Sequence, residues 1–189
     1  MKTIIYMVRH AESPFVFGHE RTRGLSEQGM NDAKRIPNLF VNLNIDAVFS
    51  SPYTRAVQTV QFLAESKGLQ ITEHEELKER PIKGLGYKVT EDELIKAIEQ
   101  SFIDKEFCLA GGESTKTAQE RAIPLIERLI NEFEGKEVVI GTHGNIMTII
   151  MNYYNNDEYG FDFWQSTSKP DVYKLTFKRN ELENVERIW

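Results

Sequence analysis

Apolar runs alternate along the chain with stretches whose apolar positions recur at helical spacing. Ile4 to Val8 is an unbroken apolar run, so Thr3–Val8 reads as a buried strand. Ser26–Val41 has helical periodicity, with Ser26 as N-cap. Ile45–Phe49 is a second strand, Tyr53–Lys67 a helix closed by Gly68, and Leu69–Thr72 a third strand. Residues 75–90, with Pro81, Gly84 and Gly86, have no period, and Glu91–Phe102 reads as a helix. Gly111-Gly112 makes a turn, and Ser114 caps a long amphipathic helix, Thr115–Phe133, which Pro124 is expected to kink or split. Glu137–Ile140 is a strand and Asn145–Tyr154 a helix; Asp171–Lys178 and Glu183–Ile188 close the chain as a strand pair. This alternation predicts an α/β fold: three αβα layers, a mostly parallel central sheet with helices on both faces, and a candidate antiparallel edge.

Composition narrows the class. The chain has 189 residues, 40% hydrophobic and 28% charged, which suits one globular domain over 1–189. With 23 Lys and Arg against 29 Asp and Glu the net charge is -6, so no global positive field draws nucleic acid or anionic membranes. Any anionic ligand needs a local positive pocket. Cys108 is the one cysteine, so no intrachain disulfide forms, and a reducing compartment fits. The apolar run before Arg9 is too short for a signal peptide, and none approaches the about 20 residues of a membrane span; a cytoplasmic location is expected.

Three strand ends carry chemistry. Ligands of open α/β sheets bind outside the carboxyl ends of the strands. The first end is "VRHAES", with Arg9 and His10; the second is "VFSSPYTRA", with Arg55 in the first turn of a helix; the third is "VVIGTHGN", with His143 before Gly144. A cation in a first helical turn opposes the helix dipole, and a nearby anion would resolve that conflict. Arg55 has two readings, a surface ion pair with Glu65 or another carboxylate, and an anion-binding group. Backbone N–H groups at the Gly144 helix start can also bind an anion. Two arginines, two histidines and a helix N-terminus at one crevice describe a phosphate site.

In order, "VRHAES", "SSPYTRAVQT", "LKER", "GGES" and "THGN" resemble the histidine phosphatase superfamily, in its phosphoglycerate-mutase-like branch, from residue 4 to about residue 150. One position departs: Ala11 stands where the family has glycine, which matters if the backbone there needs positive φ. The resemblance implies that His10 is the nucleophile, forming a phosphohistidine, while Arg9, Arg55 and His143 hold the phosphoryl oxygens. Glu79 of "LKER" matches the proton donor, a role that burial would favour, and Glu76 is the alternative. Ser13 and Gly144 are further candidates for phosphate contact. His19 and His74 read as bland, with His19 on a loop that could line the pocket. Phe15, Phe17, Phe161, Phe163 and Trp164 are candidates to wall the leaving-group side. Residues 75–113 are expected to form a loop and helix elaboration over the site.

The function expected is hydrolysis of a small-molecule phosphomonoester, without metal or other cofactor. "HAE" fits half of a zinc deaminase motif, but the further cysteines it needs are missing. His10 and His143 lack the close spacing of zinc ligands, and no phosphate-binding G-x-x-x-x-G-K loop is present. A mutase is the first alternative, disfavoured because the chain is short and carries only scattered cations between Glu79 and His143. A non-catalytic phosphate- or phosphoprotein-binding module is the second. The expected partner is a phosphorylated small molecule, with neither nucleic acid nor membrane; oligomeric state is left open.

Overall fold

The computed structural model describes all 189 residues. In chain order it contains β1 (Lys2–Arg9), α1 (Glu27–Ala33), a 3-10 turn (Ile36–Phe40), β2 (Ala47–Ser50), α2 (Thr54–Lys67) and β3 (Ile71–Glu73). A second 3-10 turn (Glu75–Leu77) precedes α3 (Glu91–Ile103), α4 (Thr115–Glu132), β4 (Glu137–Thr142), α5 (Gly144–Tyr154), α6 (Phe161–Ser166), β5 (Asp171–Lys178) and β6 (Glu181–Arg187). The sheet has six strands in the order β3-β2-β4-β1-β5-β6. The first four are mutually parallel; β5 is antiparallel to β1, and β6 to β5.

β1 is apolar throughout because both its faces are covered. Ile5 and Met7 point into a core shared with α3, α4 and α5, through Ile98, Ile126 and Ile150 among others. Tyr6 and Val8 point into a second core with Phe40, Val60 and Leu63, from the first 3-10 turn and α2. The period-2 alternation of a strand thus assigns successive side chains to opposite layers. Each such side chain fully removed from water stabilises the fold by about 1.5–3 kcal/mol. The Tyr6 hydroxyl keeps a partner, donating to Glu137 at 2.8 Å.

Local differences from the sequence reading have physical causes. The expected helix over 26–41 stops at Ala33, because Pro37 has no N–H to donate and disfavours α geometry at Ile36. Ser26 does cap α1, accepting Gly29 N–H at 3.0 Å. α4 runs unsplit through Pro124: its buried stripe, from Ala118 through Ile126 to Ile130, outweighs one lost hydrogen bond. α6 carries no strong period and was not expected; its rings pack on the first core. No helix is long and apolar enough to cross a membrane.

Candidate active site

The parallel order β2-β4-β1 sets three carboxyl ends side by side. β1 delivers Arg9 and then His10, whose N–H bonds Thr142 O of β4 at 2.9 Å. β4 delivers His143, the residue that leads into α5. β2 delivers Ser51, and Arg55 follows in the first turn of α2. The His10 and His143 ring centroids are 5.3 Å apart, and Tyr53 lies 5.1 Å from His143. These ends form the floor of a cleft of about 520 Å³, lined by Arg9, His10, Tyr53, Arg55 and Glu79 among others.

His10 is 5% exposed and its Nδ1 lies 2.7 Å from Ala11 O. A carbonyl only accepts, so Nδ1 carries the ring proton and Nε2 keeps a free lone pair. Burial, then the Arg55 charge, hold the His10 pKa well below its ordinary value, so the ring is neutral at neutral pH. Ala11 has no positive φ, so it takes the place of glycine without backbone strain. Its own N–H bonds Thr59 Oγ1 at 3.0 Å.

His143 is fully buried, and its Nε2 lies 2.7 Å from Ser51 Oγ. That hydroxyl also accepts Tyr53 N–H at 3.3 Å. His143 Nδ1 is a buried atom with no partner in the protein. Arg9 Nε and Arg55 Nε are also buried and unpartnered. Orphaned buried polar atoms are rare and costly, and Arg9, Arg55 and His143 all come from the strand ends that meet here. Arg9 Nη1 donates to Thr167 O at 3.0 Å, while Arg9 Nη2 has no partner in the protein, and both Nη atoms of Arg55 are held by Glu20, Nη2 at 2.7 Å from its carboxylate. Burial alone would raise the Glu20 carboxyl, but Arg23 and Arg55 outweigh it and bring it below the ordinary range.

Glu79 lies across the cleft on the loop after β3. Its carboxylate accepts Arg80 N–H at 2.9 Å, Asn145 N–H at 3.2 Å and Ile146 N–H at 2.9 Å. The last two belong to the first turn of α5, so the helix N-terminus holds Glu79. Arg121 secures this loop, donating to Lys78 O at 3.0 Å while bonding both oxygens of Glu113 at 2.7 and 2.8 Å. Gly112 in "GGES" allows the approach: a Cβ there would lie 2.2 Å from Ile82 O.

The histidine phosphatase superfamily (branch 1) matches residues 5–187. The chain belongs to that superfamily. It is 30% identical to the 2,3-bisphosphoglycerate-dependent phosphoglycerate mutase of Parvibaculum lavamentivorans, over 94% of this chain and 93% of that one. It is also similar in structure to a mycobacterial glucosyl-3-phosphoglycerate phosphatase, with TM-score 0.77, 18% identity and coverage of 100% and 99%. Bacillus stearothermophilus YhfR superposes with TM-score 0.75 at 22% identity, over 96% of this chain and 94% of that one. Superfamily membership supports an enzyme of phosphatase or mutase type. Length does not separate the two, since a mutase of similar length matches end to end.

Of the residues singled out in sequence, Arg9, His10, Arg55 and Glu79 line the cleft, and His143 meets His10 edge to face. Three expectations are corrected. Ser13 is not at the cleft: its hydroxyl donates to Gly24 O and accepts from Arg23, both at 2.7 Å, tying the loop together. Gly144 does not open an anion site: the N–H groups of the next two residues are taken by Glu79. Its place is explained by Arg9, whose Cζ a Cβ would meet at 2.6 Å. Glu79 is at the cleft but only half-buried and ringed by N–H donors, where burial was expected to favour its role. Glu76 lies outside the cleft, with His74 Nδ1 3.9 Å away. His19 is exposed, 3.5 Å from Thr22 Oγ1. Phe15, Phe17 and Trp164 line the cleft, whereas Phe161 and Phe163 border a separate hollow beside α3.

The sequence reading missed Glu20, Arg23, Tyr53 and Lys169 as lining residues, and Thr167 and Ser51 as supports. The i,i+3 spacing of Glu20 and Arg23 was one available signal. Lys169 arrives because β5 runs antiparallel, so the segment before it sits at the carboxyl ends of its neighbours.

Proposed function

We propose that this superfamily member is a phosphatase, releasing inorganic phosphate from a phosphomonoester through a phosphohistidine on His10. The observation that carries the reading is the neutral His10 imidazole, its Nε2 lone pair unpartnered, on the floor of a cleft lined by Arg9, Arg55 and Glu79.

His10 Nε2 attacks phosphorus in line and the bond from phosphorus to the ester oxygen breaks. Glu79 gives its proton to the departing oxygen. Water then enters, Glu79 takes a proton from it, and the oxygen attacks the phosphohistidine. The P–N bond breaks, the electron pair returns to Nε2, and phosphate leaves with Glu79 protonated again. The three N–H donors on Glu79 suit the carboxylate that waits between the two steps. Arg9, Arg55 and His143 spread the charge of the phosphoryl group, as metal ions do elsewhere.

Hydrolysis rather than transfer is supported by the open cleft, which lets water in, and by the cations of the wall. Arg80 is committed to Asn145 and Ser101, and Lys83 to backbone carbonyls, so little is left to retain a phosphorylated acid for a second transfer. The test is a product assay in EDTA. Phosphate should accumulate from aryl and alkyl phosphates, and 3-phosphoglycerate with a bisphosphate primer should give little 2-phosphoglycerate. Fast isomerisation with little phosphate would overturn the hydrolase reading, and loss of turnover on chelation would overturn the mechanism.

A further inference from the structure

The cleft has two ends of different character, and the outer one bears on the substrate. We propose that the leaving group is an uncharged, apolar alcohol or phenol, so that the substrates are aryl or alkyl phosphates rather than phosphorylated acids; this rests on the phosphatase reading. Beyond the arginines and histidines the lining turns to Phe15, Phe17, Leu85, Leu94, Ile98 and Trp164. Phe15, Phe17 and Leu85 are 73%, 66% and 64% exposed. One exposed apolar side chain is ordinary, but three from two separate loops around one cleft form a patch with a purpose.

Both loops are anchored, so the rings are held in place. The loop with Phe15 and Phe17 is fixed by Arg23, which bonds Ser13 before it and Glu20 after it. The loop with Leu85 is fixed by Gly84 N–H on Ala110 O at 2.9 Å. The cleft of about 520 Å³ lies in the range of roughly 300–1,000 Å³ that takes a small organic ligand.

The cations argue in the same direction. A carboxylate or second phosphate on the leaving group would need a free cation at the outer end. Arg23 is taken by Glu20 and Ser13, Arg80 by Asn145 and Ser101, and Lys83 by Tyr87 O at 2.7 Å. Lys169 alone among these has no partner in the protein, and the charges that act on it are those of Arg9, Arg23, Glu79 and Arg55. An anionic leaving group would therefore give up its hydration for an apolar wall, and an apolar one gains by the same transfer.

The experiment compares an alkyl pair, in which the apolar member has the poorer leaving group, and an aryl pair of similar leaving-group acidity. Hexyl phosphate is set against glycerol 3-phosphate, and naphthyl phosphate against 4-carboxyphenyl phosphate. We expect kcat/KM to favour the apolar member about tenfold or more in each pair, mainly through KM. Phe17→Ala with Leu85→Ala, both at exposed positions that the fold does not need, should cut that ratio about tenfold. Equal rates within the pairs, or a ratio untouched by the double variant, would overturn the proposal while leaving the phosphatase reading intact. If no ester turns over, the phosphatase reading fails, and calorimetry of the same esters with His10→Ala decides the ligand class. Tighter binding of hexyl phosphate would uphold it, and equal or weaker binding would overturn it.

Discussion

Arg55 is 1% exposed, yet part of its guanidinium has no partner. Glu20 holds the Nη side through its carboxylate and its carbonyl, while the guanidinium as a whole lines the cleft beside His10. A planar fork can do both at once, and a lysine ammonium cannot. Arg55→Lys should keep the fold, since the charge still pairs with Glu20, and lose about a hundredfold in kcat/KM. Steady-state kinetics with a thermal melt test this; activity within a few-fold of the parent would make Arg55 purely structural. His10 adds a pH signature. Its folded pKa is depressed, by burial first and then by Arg55, so the neutral nucleophile survives as pH falls through 6.5. The acid limb of kcat/KM, corrected for ionisation of the substrate, should therefore lie below 6.5. The same depression makes the unfolded chain take up protons first, so stability should fall as pH drops below 6.5, measured as urea midpoints. A kinetic limb at or above 6.5 would contradict the buried, neutral ring.

At the scale of elements, α5 does two tasks at its first turn. Its N–H groups hold Glu79, and its first residue, Gly144, leaves room for the Arg9 guanidinium. Gly144→Ala would drive a methyl into Arg9, at 2.6 Å from Cζ. Activity should drop about tenfold or more by displacement of one phosphate ligand, with most of the helix undisturbed; kinetics alongside circular dichroism read this out. Unchanged kinetics would mean that Arg9 has another place to lie. The strands, α2 to α5 and the strand-end residues were legible in sequence because parallel βα units put ligands at carboxyl ends. Three things were not. Pro37 was overlooked inside a periodic stretch, so one helix was read for two short elements. Lys169 and Thr167 reach the site through an antiparallel connection that no strand-end rule marks. Glu79, not phosphate, occupies the α5 N-terminus, a pairing between residues 66 positions apart that local pattern does not contain.

The whole molecule carries a net charge of -6, and the cleft concentrates Arg9, Arg23, Arg55, Arg80 and Lys169 against Glu20 and Glu79. That local inversion is the field a phosphate dianion would follow under the proposed function. The shared sheet makes it possible, because β1, β2 and β4 are fixed in register by backbone bonds and two cores, and the side chains at their ends inherit that rigidity. The central claim is that a phosphoryl group passes through His10, and one measurement addresses it most directly. Enzyme mixed with labelled naphthyl phosphate is quenched rapidly without acid, digested, and read by mass spectrometry. An acid-labile, base-stable phosphoramidate should sit on His10, formed and consumed at rates compatible with turnover, and His10→Ala should lose both adduct and turnover while still binding phosphate. Label on another residue, or substantial turnover by His10→Ala, would contradict the account.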